Sequence, residues 1–382
     1  KDTFSLKRTL KLFSAALLAA FVFSLVGCGS ASNSFTWFVD TIPANLDPQV
    51  ASAASDVIAC ENLYSGLVRK DPGGQLLLEL CDRWETSADR RTSTFYLKDS
   101  LCYTAAKGAA TEYPITADDF VFAFRRMFRA ETNSPYAVEF SAIENSAAVL
   151  SGAMPETALG VSAHGEQTLV FQLSEPDENF LSKLTLPGAM PCDEAFFDST
   201  RGTYGLSTAS TLSSGSFYIY NWTSGGLFLR REPSGSRIDN LRLVQNTNAA
   251  GQSAEQLISN EKCSAALDDT GAQTAFQSIA YSDTTWTLLF RCDSVFSSTE
   301  LRQALASVAR KAAEVPDTGL FTAASGLIPE GLTVDGIDYR AAAGDPMPTI
   351  PDAKELYRTA RQGMQNSDFN KVTLLLPAGS GL

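Results

Sequence analysis

The chain has 382 residues, 44% of them hydrophobic, 19% charged and 10% aromatic, enough for two or three domains that each bury a core. A net charge of −13 argues against a nucleic-acid partner, because phosphate binding needs a basic face. The single histidine, His164, excludes multi-histidine metal centres.

Lys1, Lys7, Arg8 and Lys11 precede an apolar run, Leu12 to Val26, that ends in Leu25-Val26-Gly27-Cys28. A basic start, a short apolar stretch and small residues at its end describe an export signal over 1–27. The run is too short for a comfortable membrane span, which takes about 20 apolar residues. Cysteine directly after Leu-Val-Gly resembles the bacterial lipobox, in which the thiol is acylated and becomes the new N-terminus. That resemblance implies a lipid on Cys28, with the body outside the cytoplasm and held to a membrane face (cell surface or periplasm). The other six cysteines, Cys60, Cys81, Cys102, Cys192, Cys263 and Cys292, are widely spaced without a CxxC. They are expected mostly as small buried hydrophobes, with no zinc site.

Residues 28–33 read as a flexible tether rich in Gly, Ser and Asn. Phe35–Asp40 is an entry strand. Val57, Cys60, Leu63 and Leu67 repeat at helical spacing, predicting a helix capped by Ser55 or Asp56 and stopped at Gly66. Thr94–Leu97 reads as a strand. Thr116 to Asp119 opens a helix with a capping-box pair and an apolar face of Phe120, Phe124, Met127 and Phe128. Thr168–Leu173 is a further strand, entered from a turn at His164-Gly165. The Ser/Thr/Gly-rich stretch 205–216 looks like a connector. Phe217–Trp222 and Leu227–Arg231 flank Thr-Ser-Gly-Gly as a hairpin. Later come a strand at Trp286–Phe290, a helix with Leu301, Leu305 and Val308 on one face, a helix near Lys354–Arg361 and a strand at Val372–Leu376. The mixture gives an α/β (mixed α+β) fold class.

No constellation suggests catalysis. His164 lies in a polar turn without a nucleophile motif, and Asp118-Asp119 suit the positive end of a helix better than acid–base chemistry. Phosphate-loop, dinucleotide and calcium-loop patterns are absent from the sequence. The chain reads as a non-enzyme without a cofactor.

The order of segments carries more than any one motif. Leu46-Asp47-Pro48, Leu63-Tyr64-Ser65-Gly66-Leu67-Val68, Trp84 to Asp89, Thr94 to Lys98 and Pro114 to Phe122 follow one another. Ser134-Pro135-Tyr136-Ala137, Leu159-Gly160-Val161, Leu173-Ser174-Glu175-Pro176, Gly215 to Tyr218 and Ile328 to Leu332 continue the series. Over its mature length the chain resembles the oligopeptide- and dipeptide-binding proteins of bacterial ABC importers, extracellular solute-binding protein family 5. It departs at Leu80-Cys81-Asp82, at Ser214-Gly215 and across 99–113. It also ends where such proteins continue, which reads as a C-terminal truncation inside a third domain.

The resemblance implies a periplasmic-binding-protein-like fold of type II, two lobes with an inserted domain. By analogy, domain I is 34–66 plus 196–283, domain II is 67–195 and a partial domain III is 284–382. It further implies a monomer that closes on short peptides as an added strand and delivers them to the transmembrane subunits of an ABC permease. Carried over by position, Ser52, Ala53 and Ala54 are the ligand edge, Tyr136 faces the ligand, and Trp286 lines the cleft. The alternative within the fold is a nickel-chelate, haem, sugar or opine ligand; a lipid-anchored hydrolase or signalling receptor is the rival from another class.

Overall fold

The structure, a computed structural model, describes residues 33–232, 238–245 and 252–266, then 276–277, 289–312, 326, 328–329, 332–334, 337–344, 352–366 and 368. It divides into two units after Ala266.

The first unit holds two four-stranded sheets. Strand β1 (Ser34–Val39) pairs in parallel with a strand some two hundred residues later, so everything between is inserted into one sheet. The insertion begins with helix α1 (Ala54–Leu63) and hairpin β2 (Val68–Lys70) and β3 (Leu76–Leu78). A second sheet follows, built from β4 (Cys81–Thr86), β5 (Thr92–Leu97), β8 (Val161–Ala163) and β9 (Thr168–Gln172) in the order β4-β5-β9-β8, all antiparallel. Between β5 and β8 lie hairpin β6 (Cys102–Thr104) and β7 (Ala110–Pro114) and helix α2 (Ala117–Met127).

Alternation decides which face of this sheet is dry: Ser93, Phe95 and Leu97 on β5 and Leu169 and Phe171 on β9 are buried. Helix α2 packs its phenylalanines there, with Phe124 edge-on to Phe171 at 4.9 Å and to Phe140 at 5.0 Å. The predicted capping box forms: the Asp119 carboxylate accepts from Thr116 N–H at 2.8 Å. Acids in the first turn and arginines in the last complement the helix dipole.

The chain returns to the first sheet through β10 (Tyr218–Thr223), β11 (Gly226–Arg230) and β12 (Asn240–Gln245), giving the order β1-β12-β11-β10. Its inner face, Leu227, Leu229, Leu241 and Leu243, meets Ala59, Cys60 and Leu63 of α1 in a second core.

Three expectations need correction. Ser55 and Asp56 do not cap α1; Ala53 occupies the cap without a side-chain bond. Both side chains reach back to the preceding loop instead, Asp56 accepting from Ala44 N–H at 2.7 Å and Ser55 meeting Thr41 Oγ1 at 3.2 Å. The helix ends at Leu63, short of Gly66. The 205–216 stretch is no loose connector, since Ser210, Thr211, Leu212, Ser213 and Ser214 are buried. Its hydroxyls and amides supply the bonds that burial demands: Ser213 exchanges backbone bonds with Thr104, Ser214 Oγ joins Ser65, and Gly215 N–H donates to Leu63.

In the second unit, α3 (Thr299–Ala312) packs on α5 (Ala353–Arg361) around Leu301, Ala360 and Val295. The predicted stripe of Leu301, Leu305 and Val308 is corrected: Leu305 and Val308 are exposed, and Leu301, Ala304 and Ser307 form the buried row. Small side chains at Ala304 and Ser307 suit a close helix contact better than two larger ones. Helix α4 (Tyr339–Ala343) lies between them in sequence. Of the expected strands there, Trp286 to Thr287 and Leu288 and all of Val372–Leu376 lie outside the described residues. Leu289 and Phe290 are not in a strand; the Phe290 ring lies 5.2 Å from Phe296.

Four of the six later cysteines are buried, Cys102 and Cys292 are exposed, and none of the six is in a disulfide.

Candidate functional site

Leu46 and Asp47 begin the loop that leads into α1. Gly205, with φ +74° and a would-be Cβ 2.3 Å from Asp47 N, is the point where another backbone closes on this loop, and Leu46 N–H donates to its carbonyl at 2.8 Å. Asp47 then meets Arg126 from the last turn of α2. Arg126 Nη1 donates to Oδ2 at 2.6 Å and Nη2 to Oδ1 at 2.7 Å, a two-pronged pair whose side chains are 3% and 9% exposed.

Gln49 extends the network in both directions. Its Oε1 accepts from Arg126 Nη2, and its Nε2 donates to the carbonyls of Met190 at 2.8 Å and Gly188 at 3.2 Å. Burial opposes the charge on Arg126, but the Asp47 carboxylate bonded to it holds its pKa above the ordinary arginine value. The Phe197 and Tyr204 rings complete the enclosure, with centroids 4.6 and 5.3 Å from the guanidinium carbon.

Past Gln49 the loop is held from the other side. Ser134 Oγ donates to the Gln49 carbonyl at 2.5 Å, and Tyr136 O–H to the Ala51 carbonyl at 2.7 Å. Burial, then the Cys60 and Glu61 charges, push the Tyr136 phenol up to about 12, so it remains a donor throughout the physiological range. Gly188 is packed against the Tyr136 ring: a Cβ there would lie 2.6 Å from Tyr136 Cβ.

The expected ligand edge emerges from this clasp. Ser52, Ala53 and Ala54 are exposed, directly after fully buried Ala51. Ala53 carbonyl starts α1 by accepting from Val57 N–H at 2.9 Å. Among the described residues, the Ser52 N–H and carbonyl and the Ala53 N–H have no hydrogen-bond partner. An immobilised, exposed backbone with open donors and acceptor is a template for pairing with another extended chain. The structure therefore brings Tyr136 and Ser52–Ala54 together, through Ala51. Trp286 and Cys28 lie outside the described residues.

The Asp47–Arg126–Gln49 clasp escaped the reading of the sequence. A signal was present: Arg126 lies one turn from Phe122 and two from Asp119, on the buried side of α2, and a cation there requires an acid. His164 is exposed in its turn, 3.4 Å from Ser162 Oγ. Among the described residues there is no group of three or more His, Cys, Asp or Glu able to hold a metal, and no helix long and apolar enough to cross a membrane.

A family model for bacterial extracellular solute-binding proteins, family 5, matches residues 75–368. The chain belongs to this family. A dipeptide-binding protein of Lactococcus lactis subsp. cremoris is 26% identical over 391 residues, 94% of this chain and 69% of the relative. The periplasmic oligopeptide-binding protein OppA of Salmonella typhimurium is 27% identical over 205 residues, 53% of this chain and 36% of that protein. Among solved structures, peptide-bound OppA of Listeria monocytogenes aligns with a TM-score of 0.62 at 18% identity, covering 87% of this chain and 68% of that one. The substrate-binding domain of a Bacillus anthracis oligopeptide ABC transporter gives 0.60 at 21%, covering 87% and 67%. These likenesses show a shared mixed α/β fold, that of periplasmic-binding-protein-like solute receptors. The chain spans 69% of the length of one curated relative and between 24% and 36% of that of several others.

Proposed function

We propose that this chain is the substrate-binding component of an ABC importer, capturing short peptides outside the cytoplasm and delivering them to the membrane permease. It acts without catalysis, as a monomer anchored through a lipid on Cys28 after removal of residues 1–27. The carrying observation is the Ser52–Ala54 edge, where the Ser52 N–H and carbonyl and the Ala53 N–H stand open among the described residues while Asp47–Ala51 behind it are locked by Arg126, Gln49, Ser134 and Tyr136. Pairing through main-chain groups accepts many side chains, which suits a peptide receptor. The relatives' printed descriptions as dipeptide- and oligopeptide-binding proteins support the same ligand class.

Under this proposal Tyr136 and Ser52–Ala54 contact the ligand, and Trp286 lines the cleft. The domain division at 34–66 plus 196–283, 67–195 and 284–382 belongs to it as well. Separate apolar cores around Phe95, Phe124 and Phe171 and around Leu63, Leu229 and Leu243 support the first boundary.

Native mass spectrometry of the chain purified without denaturant tests the ligand class. A ladder of adducts that fragment into short peptides is expected. One discrete non-peptide adduct would refute the peptide assignment and leave a receptor for another solute.

A further inference from the structure

The outer face of the first sheet carries a feature that ligand capture does not use. Leu227, Leu229, Leu241 and Leu243 face the core, so alternation puts Phe228, Arg230 and Arg242 on the opposite side. With Tyr220 and Asn240 they line an open pocket of about 190 Å³. The Arg230 guanidinium carbon lies 3.8 Å from the Tyr220 ring centroid, and its Nε donates to Asn240 Oδ1 at 3.0 Å. Tyr220 is 44% exposed, and Arg242 is exposed.

Among the described residues, neither Arg230 nor Arg242 has a carboxylate in ion-pair range. In a chain of net charge −13, acids are plentiful, and Arg83, Arg90, Arg126 and Arg129 all find one. Asp239, next to the pocket, is already engaged by Asn33 Nδ2 at 2.9 Å and Arg231 at 3.8 Å. Two guanidiniums, one of them over the Tyr220 ring and both without a carboxylate partner among the described residues, fit an external anion on an acidic protein.

Position identifies which anion. Ser34, Asn240, Arg230 and Tyr218 are aligned across the four strands, so the pocket sits at the end of the sheet where β1 begins. The Asn33 carbonyl accepts from Asp239 N–H at 2.7 Å and Asn240 N–H at 3.0 Å, fixing the chain's point of departure beside the pocket. Cys28 is five residues upstream of Asn33, and five residues span at most about 17 Å.

We propose that this face is the membrane-facing surface, with Arg230 and Arg242 holding the phosphates of anionic phospholipid headgroups and Tyr220 and Phe228 at headgroup level. The proposal rests on the lipid anchor at Cys28, which keeps the face within reach of the bilayer. Each cation near an anionic surface favours contact roughly fivefold, and the pair about thirtyfold. The tether supplies a high local concentration, so this modest preference orients the anchored body despite its overall negative charge.

The acylated protein is reconstituted into vesicles of phosphatidylcholine alone or with a third of phosphatidylglycerol, and hydroxyl-radical oxidation of Tyr220 is read by mass spectrometry. Oxidation is expected to fall at least threefold on the anionic vesicles. The protection should vanish in R230Q/R242Q and in high salt. Equal oxidation on both vesicles overturns the proposal, as does protection that survives in the double variant. Protection produced by inorganic phosphate on neutral vesicles would instead show a small-anion site and also overturns it. Protein that floats with neither vesicle refutes the anchor itself, a failure separate from that of the face.

Discussion

Replacing Arg126 by methionine removes the guanidinium from an enclosed site and leaves the Asp47 carboxylate, 9% exposed, without its cation. Breaking a buried pair from one side costs about 3–5 kcal/mol. Gln49 Oε1 loses its donor in the same step, with a desolvation cost of about 1–3 kcal/mol if unreplaced. Because the two losses share one network, they do not simply add, and a total near 4 kcal/mol is expected for R126M. Removing the stranded charge as well, in D47N/R126M, should recover at least about 2 kcal/mol of that. Urea unfolding followed by far-ultraviolet circular dichroism reads these changes as shifts in midpoint at constant slope. Peptide affinity should fall in parallel, since Gln49 no longer fixes the loop leading to Ser52. If R126M costs less than about 1 kcal/mol and binds peptide as tightly as the parent, the clasp is not what positions the edge.

Tyr136→Phe removes the donor to the buried Ala51 carbonyl, and about 1 kcal/mol of stability should go with it, alongside a several-fold loss of peptide affinity in calorimetric titration. Gly205→Ala meets both a positive φ and the Asp47 backbone; a midpoint loss of about 2 kcal/mol or more is expected, and an unshifted urea curve would contradict the close approach. Asp119 is held near 7, mainly by burial and then by Asp193 and Asp118, against an ordinary 3.8. The folded chain therefore keeps a proton that the unfolded chain releases above about 4, so this residue's contribution is greatest in acid and is lost as pH rises toward 7, a span on the order of 4 kcal/mol. In D119N, where the amide oxygen still accepts from Thr116, the slope of stability between those pH values should flatten; an unchanged slope assigns the dependence elsewhere.

Local signals were legible where neighbours in sequence are neighbours in space. The Thr116–Asp119 box and the β10–β11 hairpin rest on contacts within a few residues, and the phenylalanine face of α2 and strand β9 show as periodicity within one segment. Arg126 and Asp47 stand 79 positions apart, and no periodicity announces such a pair; only the misfit of a cation on an apolar face hinted at it. Ser55 and Asp56 misled because their side chains have two competing uses, capping or bonding the loop upstream, and the tertiary loop won. Leu305 and Val308 misled for another reason: a hydrophobic stripe predicts burial only if a partner packs on that side, and the core shared with α5 is built on Leu301, with Ala304 and Ser307 buried and Leu305 and Val308 exposed. The proposed ligand edge itself has no side-chain chemistry to read. Its small residues became informative through family position, and its open N–H and carbonyl groups through the fold.

The central claim is that a peptide pairs with the backbone at Ser52 and Ala53. Hydrogen exchange resolved to single amides, with and without a saturating pool of three- to five-residue peptides, tests it directly. Both amides, without a hydrogen-bond partner among the described residues, are predicted to slow by at least about tenfold on binding. Peptide binding that leaves both rates unchanged would contradict the edge.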